Sequence, residues 1–99
     1  MNISITHDEQ QTLFQLVGRL DTITAPELHD DLIIAFDTAK MIVLDFTEIE
    51  YISSAGLRVL LIGEKHARSK NAQMKLINVS DDVMEILEMT GFSDKLTIE

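Results

Sequence analysis

Ser53 and Ser54 are the side chains of this sequence best placed to do chemistry. They follow an apolar run, Met41-Ile42-Val43-Leu44-Asp45-Phe46, that reads as a strand, and an acidic connection, Thr47 to Tyr51. Ala55 and Gly56 come next, and an apolar helical pattern starts at Leu57. At a helix start the first backbone N–H groups have no intrahelical acceptor and the macrodipole is positive. A serine there can serve as a cap. It can equally carry a phosphoryl group, which brings roughly -1.5 to -2 charges and can bond the free N–H groups. From these residues alone the cap is the simpler reading. The phosphoacceptor is the reading with a consequence, because a new anion on an acidic surface repels an acidic partner patch.

Other site chemistries find no support. A serine hydrolase elbow needs glycine two residues before the nucleophile, and Ile52 stands there; no histidine is placed as a base. His7, His29 and His66 are scattered and pair with no acid at ligand spacing, so no metal site is expected. The glycines at 18, 56, 63 and 91 form no phosphate-binding loop, and no nucleotide or other cofactor is expected. With no cysteine, disulfides and thiolate catalysis are excluded.

Ninety-nine residues, 45% of them hydrophobic, suit one domain spanning residues 1–99. Seventeen acidic against 8 basic residues give a formal charge of -9, which argues against nucleic acid and against anionic membrane surfaces. The N-terminus lacks the pattern of a signal peptide, and no apolar stretch approaches ~20 residues, so membrane insertion is not expected and a cytoplasmic location is.

The elements that must position the serines read as follows. Asn2 to Thr6 alternates, Thr12 to Val17 is rich in strand formers and stops at Gly18, and the two suggest a hairpin over the polar turn Asp8 to Gln11. Thr24-Ala25-Pro26-Glu27 reads as a helix start with a capping box, and Leu28, Leu32, Ala35 and Phe36 give its stripe. Met41 to Leu44 lacks alternation, as in a strand covered on both faces. The helix after Gly56 carries Leu57, Leu60, Leu61 and Ala67 on one side, Val59 and Ile62 as a second apolar flank, and Arg58, Glu64, Lys65 and Arg68 as its polar surface. Met74 to Val79 is a strand, Ser80 caps a third helix with Val83, Ile86, Leu87 and Thr90 inward, and Gly91 ends it. Leu96 to Ile98 is a last strand. The order β-β-α-β-α-β-α-β predicts an α/β fold with a mixed, mostly parallel sheet of four to five strands, an N-terminal hairpin and three main helices. If the strands ending near Val17 and Phe46 are neighbours, the loops with Asp21, Thr24 and the serines share one rim.

Three stretches carry a family resemblance. Val17-Gly18-Arg19-Leu20-Asp21-Thr22-Ile23-Thr24-Ala25 is similar to the loop before the first helix of STAS domains. Ile42 to Phe46 with Ile49-Glu50-Tyr51-Ile52-Ser53-Ser54-Ala55-Gly56-Leu57 resembles that family's central strand, loop and helix, and Met89-Thr90-Gly91-Phe92 resembles its helix end. The resemblance is to the single-domain anti-sigma factor antagonists. It implies that Ser54 is phosphorylated, although Ser53 stands where the family carries Asp. It also implies a partner-binding surface of Asp21, Thr22, Thr24, Ser53, Ser54, Ala55, Gly56, Leu57 and Arg58. The implied partners are a cognate serine kinase of the histidine-kinase-like ATPase type that is also an anti-sigma factor, and a serine phosphatase. The protein is then a partner-switching regulator and not an enzyme. The alternative within the family is a constitutive subunit of a lipid-transport ABC assembly or a stress-signalling scaffold, with Ser54 as a cap only. A small hydrolase or phosphocarrier using Ser54 is a third reading.

Overall fold

Thr12, Phe14 and Leu16 are buried while Gln15 and Val17 are exposed, and this alternation sets one face of the sheet against the core. The computed structural model describes all 99 residues, Met1 to Glu99. In chain order the elements are β1 (Asn2–His7), β2 (Thr12–Leu20), α1 (Ala25–Ala35), β3 (Met41–Ile52), α2 (Ser54–Ser69), β4 (Gln73–Ile77), α3 (Asp81–Met89) and a 3-10 turn at Phe92–Asp94. The four strands lie in the order β1-β2-β3-β4. β1 and β2 form an antiparallel hairpin in register from Asn2↔Val17 to His7↔Thr12. Its turn is closed by Asp8, whose Oδ1 accepts from the N–H groups of Gln10 (2.7 Å) and Gln11 (2.8 Å). β2–β3 and β3–β4 are parallel, crossed over by α1 and α2. The fold class expected from the pattern of elements is the one observed.

Buried residues of all three helices, among them Leu28, Leu32, Leu57, Leu60, Val83 and Leu87, join Phe14, Leu44, Phe46 and Leu76 in one cluster. Each fully buried Leu or Phe contributes roughly 2–3 kcal/mol of transfer free energy to that face. Val43 is buried yet belongs to no part of the cluster. Its flanking positions Leu13 and Lys75 shield it in the sheet row. β3 is therefore not covered by helices on both faces: the opposite face, with Ser4, Gln15 and Thr47, is open.

Several boundaries differ from the sequence reading. β2 does not stop at Gly18 but continues to Leu20, and β3 runs through the acidic stretch to Ile52. The two strands stay paired because register shifts between Gln15 and Val17 and between Gly18 and Arg19 absorb the irregularity, with Gly18 at φ +119°. α2 begins at Ser54, three residues before Leu57. Glu64 is buried, not part of the polar surface; its Oε1 lies 3.4 Å from Arg68 Nε while Oε2 has no partner. Thr90 is exposed and its hydroxyl donates to the Ile86 carbonyl (2.7 Å). The last strand shrinks to a single bridge, Leu76↔Ile98: Leu76 N–H donates to Thr97 O and Glu99 N–H to Leu76 O (2.9 Å each), while Leu96 N–H turns back to the Phe92 carbonyl (3.1 Å).

Candidate functional site

Leu20 and Ile52 are paired neighbours at the carboxyl ends of β2 and β3, so the two loops leave the sheet side by side. The Leu20 carbonyl accepts from Ser53 N–H at 2.9 Å, which ties the second loop to the end of the first. Asp21 and Ser54 thus lie on one rim. Gly56 makes the next step possible. A Cβ at this buried position would stand 2.7 Å from Leu20 Cγ, 2.8 Å from Leu20 O and 2.9 Å from Ile52 Cγ1. Only glycine lets the first turn of α2 settle onto both strand ends. Leu57, the residue after it, is buried and anchors the helix from below.

The two serines divide their tasks. Ser53 is extended (φ -98°, ψ 175°), and its Oγ accepts from Gly56 N–H at 3.3 Å; it is the N-cap of α2. Ser54 is the first helical residue, exposed to solvent, and its hydroxyl has no hydrogen-bond partner in the protein. The first intrahelical bond runs from Leu57 N–H to Ser53 O (2.9 Å), leaving the N–H groups of Ser54 and Ala55 free.

The first loop is braced from inside. Asp21 Oδ1 accepts from Ile23 N–H (3.0 Å) and Thr24 N–H (3.1 Å), and its other oxygen lies 3.8 Å from Arg19 Nε. Thr24 Oγ1 accepts from Asp21 N–H (2.9 Å) and donates to the Arg19 carbonyl (2.7 Å). The Thr24 N–H bond, then those from Ile23 N–H and the Thr24 hydroxyl, with the Arg19 charge, outweigh partial burial and hold the Asp21 carboxyl below the usual range. The capping box expected at Thr24 does not form: Thr24 has helical angles (φ -91°, ψ -22°) and makes no side-chain cap bond. Its hydroxyl is committed to the loop instead, while Pro26 does sit in the first turn of α1. Thr22 is left exposed at the loop tip beside Ile23, which is 87% exposed.

A shallow groove of about 300 Å³ runs between the starts of α1 and α2, lined by Thr22, Ala25, Pro26, Ala55, Arg58 and Val59 among others. It gives the rim an apolar floor next to Ser54. Arg58 is exposed along it. Of the residues singled out from the sequence, Asp21, Thr22, Thr24 and Ser53 to Arg58 all fall on this rim or its supports. Gly56 and Leu57 act from beneath, and Asp21 and Thr24 largely through loop shape. Three features escape sequence reasoning: the exposure of Ile23, the groove that Pro26 and the flank residue Val59 wall between them, and Arg19, whose guanidinium stacks 4.3 Å over the Tyr51 ring. No residue pattern announces the last, because Arg19 comes opposite Tyr51 only through the shifted register of β2 and β3. No three histidines and acids gather to hold a metal. No helix is long and apolar enough to cross a membrane.

Comparison with known proteins adds to this geometry. The family model of the STAS domain matches residues 2–99. An anti-sigma-B factor antagonist of Listeria monocytogenes is 34% identical over 105 residues, spanning 100% of this chain and 90% of its own length. The structure of an anti-sigma-factor antagonist (STAS) domain protein from Planctomyces limnophilus aligns with a TM-score of 0.85 at 20% identity, over 97% of this chain and 87% of that one. The Bacillus cell fate determinant SpoIIAA in its phosphorylated form aligns with a TM-score of 0.77 at 14% identity, over 99% of this chain and 91% of that one. At those identities the two structures speak for the fold.

Proposed function

The chain belongs to the STAS-domain family, and from that footing we propose that it is an anti-sigma factor antagonist acting by partner switching, with Ser54 as the phosphorylated residue. The unmodified protein binds a cognate serine kinase of the histidine-kinase-like ATPase type, which doubles as an anti-sigma factor. In the transfer, Ser54 Oγ bonds to the γ-phosphorus of ATP, the bond from that phosphorus to the bridging oxygen breaks, and ADP and the hydroxyl proton leave. A serine phosphatase restores the hydroxyl. The chain itself is the substrate of this chemistry, and ATP and kinase locate it in the cytoplasm.

The observation that carries the reading is the division between the serines. Ser53 satisfies the cap, so Ser54 keeps an exposed, unpartnered hydroxyl on a rigid helix start. The docking surface runs from Asp21, Thr22 and Thr24 across the groove to Ser53, Ser54, Ala55 and Arg58, with Gly56 and Leu57 as its base. A phosphoryl group at its centre adds charge and bulk where a partner must desolvate the surface, and binding weakens.

Calorimetric titration of the cognate kinase tests this. Ser54→Ala is expected to bind within about threefold of the unmodified protein, and Ser54→Glu at least about tenfold more weakly, or 1.4 kcal/mol. Equal binding by both variants contradicts the switch. Capture of a permease or ABC ATPase in place of a kinase supports a constitutive subunit.

A further inference from the structure

Arg58 stands one turn beyond Ser54 on α2. Residues four apart on a helix are surface neighbours, with Cβ atoms about 6 Å apart, and long side chains lean toward the helix N-terminus. That spacing puts the turn that begins with Ser54 within reach of the Arg58 guanidinium, which lines the groove beside Ala55. The chain has three arginines. Arg19 lies 3.8 Å from Asp21 and over the Tyr51 ring, and Arg68 lies 3.4 Å from Glu64. Arg58 has neither an ion pair nor a hydrogen bond, in a chain with 17 acidic residues. Asp30 lines the same groove but is engaged by His29 Nδ1 at 3.1 Å. A free, exposed guanidinium at this spacing suits a tetrahedral oxyanion, which it can bond through two N–H groups.

We propose that Arg58 is the internal receptor for the phosphoryl group on Ser54, an inference that rests on Ser54 being the modified residue. Phosphorylation then acts twice on the docking surface. It adds an anion, and it withdraws the rim's uncommitted arginine from any acidic group of the partner. The hydroxyl form has no charge with which to engage Arg58, so the guanidinium is released again when the phosphate is removed.

The test installs phosphoserine at position 54 during synthesis and follows its second ionisation by phosphorus NMR, in the native background, in Arg58→Gln and in Arg58→Lys. The helix-start N–H groups are common to all three, so differences report residue 58. The ionisation is expected about 0.5 units lower with arginine than in Arg58→Gln, with Arg58→Lys recovering part of the gap and 1 M salt shrinking it. Superimposable curves for the native background and Arg58→Gln, with unchanged thermal unfolding of the two unphosphorylated proteins, overturn the proposal. No kinase enters the measurement, so failure of enzymatic modification at Ser54 would count against the switch and leave this result standing.

Discussion

At the scale of single residues, the site depends on which serine does which job. Ser53 stands where the family pattern carries Asp, and both types cap helices well because a side-chain oxygen accepts from the first-turn N–H groups. Ser53→Ala should cost about 1 kcal/mol in urea unfolding, and Ser53→Asp should keep or raise stability, since its charge also meets the positive end of α2. No loss for Ser53→Ala would mean that the Ser53–Gly56 bond contributes nothing, and a loss as large for Asp as for Ala would mean that a carboxylate cannot replace the hydroxyl as the cap. Asp21 gives a second residue-scale expectation. Its folded-state pKa lies below the unfolded value of about 3.9. The charged form is thus favoured by folding: the contribution is present above pH ~4 and fades as pH falls through the lower, folded value. Asp21→Asn can keep the loop geometry and lose the charge. Its stability should fall less steeply than that of the parent below pH ~4, as seen in urea midpoints measured across the acid range. Identical slopes would remove Asp21 from the acid response.

At the scale of elements, the rim exists because a helix is lowered onto two strand ends. Gly56→Ala places a methyl within 2.9 Å of Leu20 and Ile52, and one of the contacts is a backbone oxygen that cannot rotate away. We expect a loss of about 2–3 kcal/mol in denaturant unfolding, with weakened partner binding as α2 shifts outward. A neutral effect would show that the close packing of α2 on β2 and β3 is not needed. The helices were legible in the sequence through their stripes and, for α3, through the Ser80 cap, whose Oγ accepts from Val83 N–H at 3.2 Å. The ends of β2 and β3 were not. Glu48, Glu50 and Tyr51 look like a solvated loop, and the register shifts break the period-two pattern that would have revealed Ile49 and Ile52 as buried. The start of α2 reads late in the sequence because Ser54, Ala55 and Gly56 carry no apolar stripe. Glu64 misled for the opposite reason: a charge at a surface-like position is folded under Arg68. The serine site was legible as a motif, but which hydroxyl is free follows from backbone angles that no residue type announces.

At the scale of the whole molecule, the Ser54 hydroxyl lies outside the packed core, although its helix start rests on that core through Gly56 and Leu57. One core lies on one face of a four-stranded sheet, and the rim at the carboxyl ends of β2 and β3 projects beyond it. A phosphoryl group at Ser54 can therefore be added without disturbing buried packing, and in the proposed switch its effect is read by a partner. The formal charge of -9 sharpens that reading, because each further anion on such a surface raises the electrostatic barrier to an acidic partner and leaves the fold intact. The most direct measurement is fragment-resolved mass spectrometry of the intact protein after incubation with its cognate kinase and ATP. One added phosphate on Ser54, and none in Ser54→Ala, is the predicted result; a phosphate on Ser53, or an unmodified protein with an active kinase, would contradict the account.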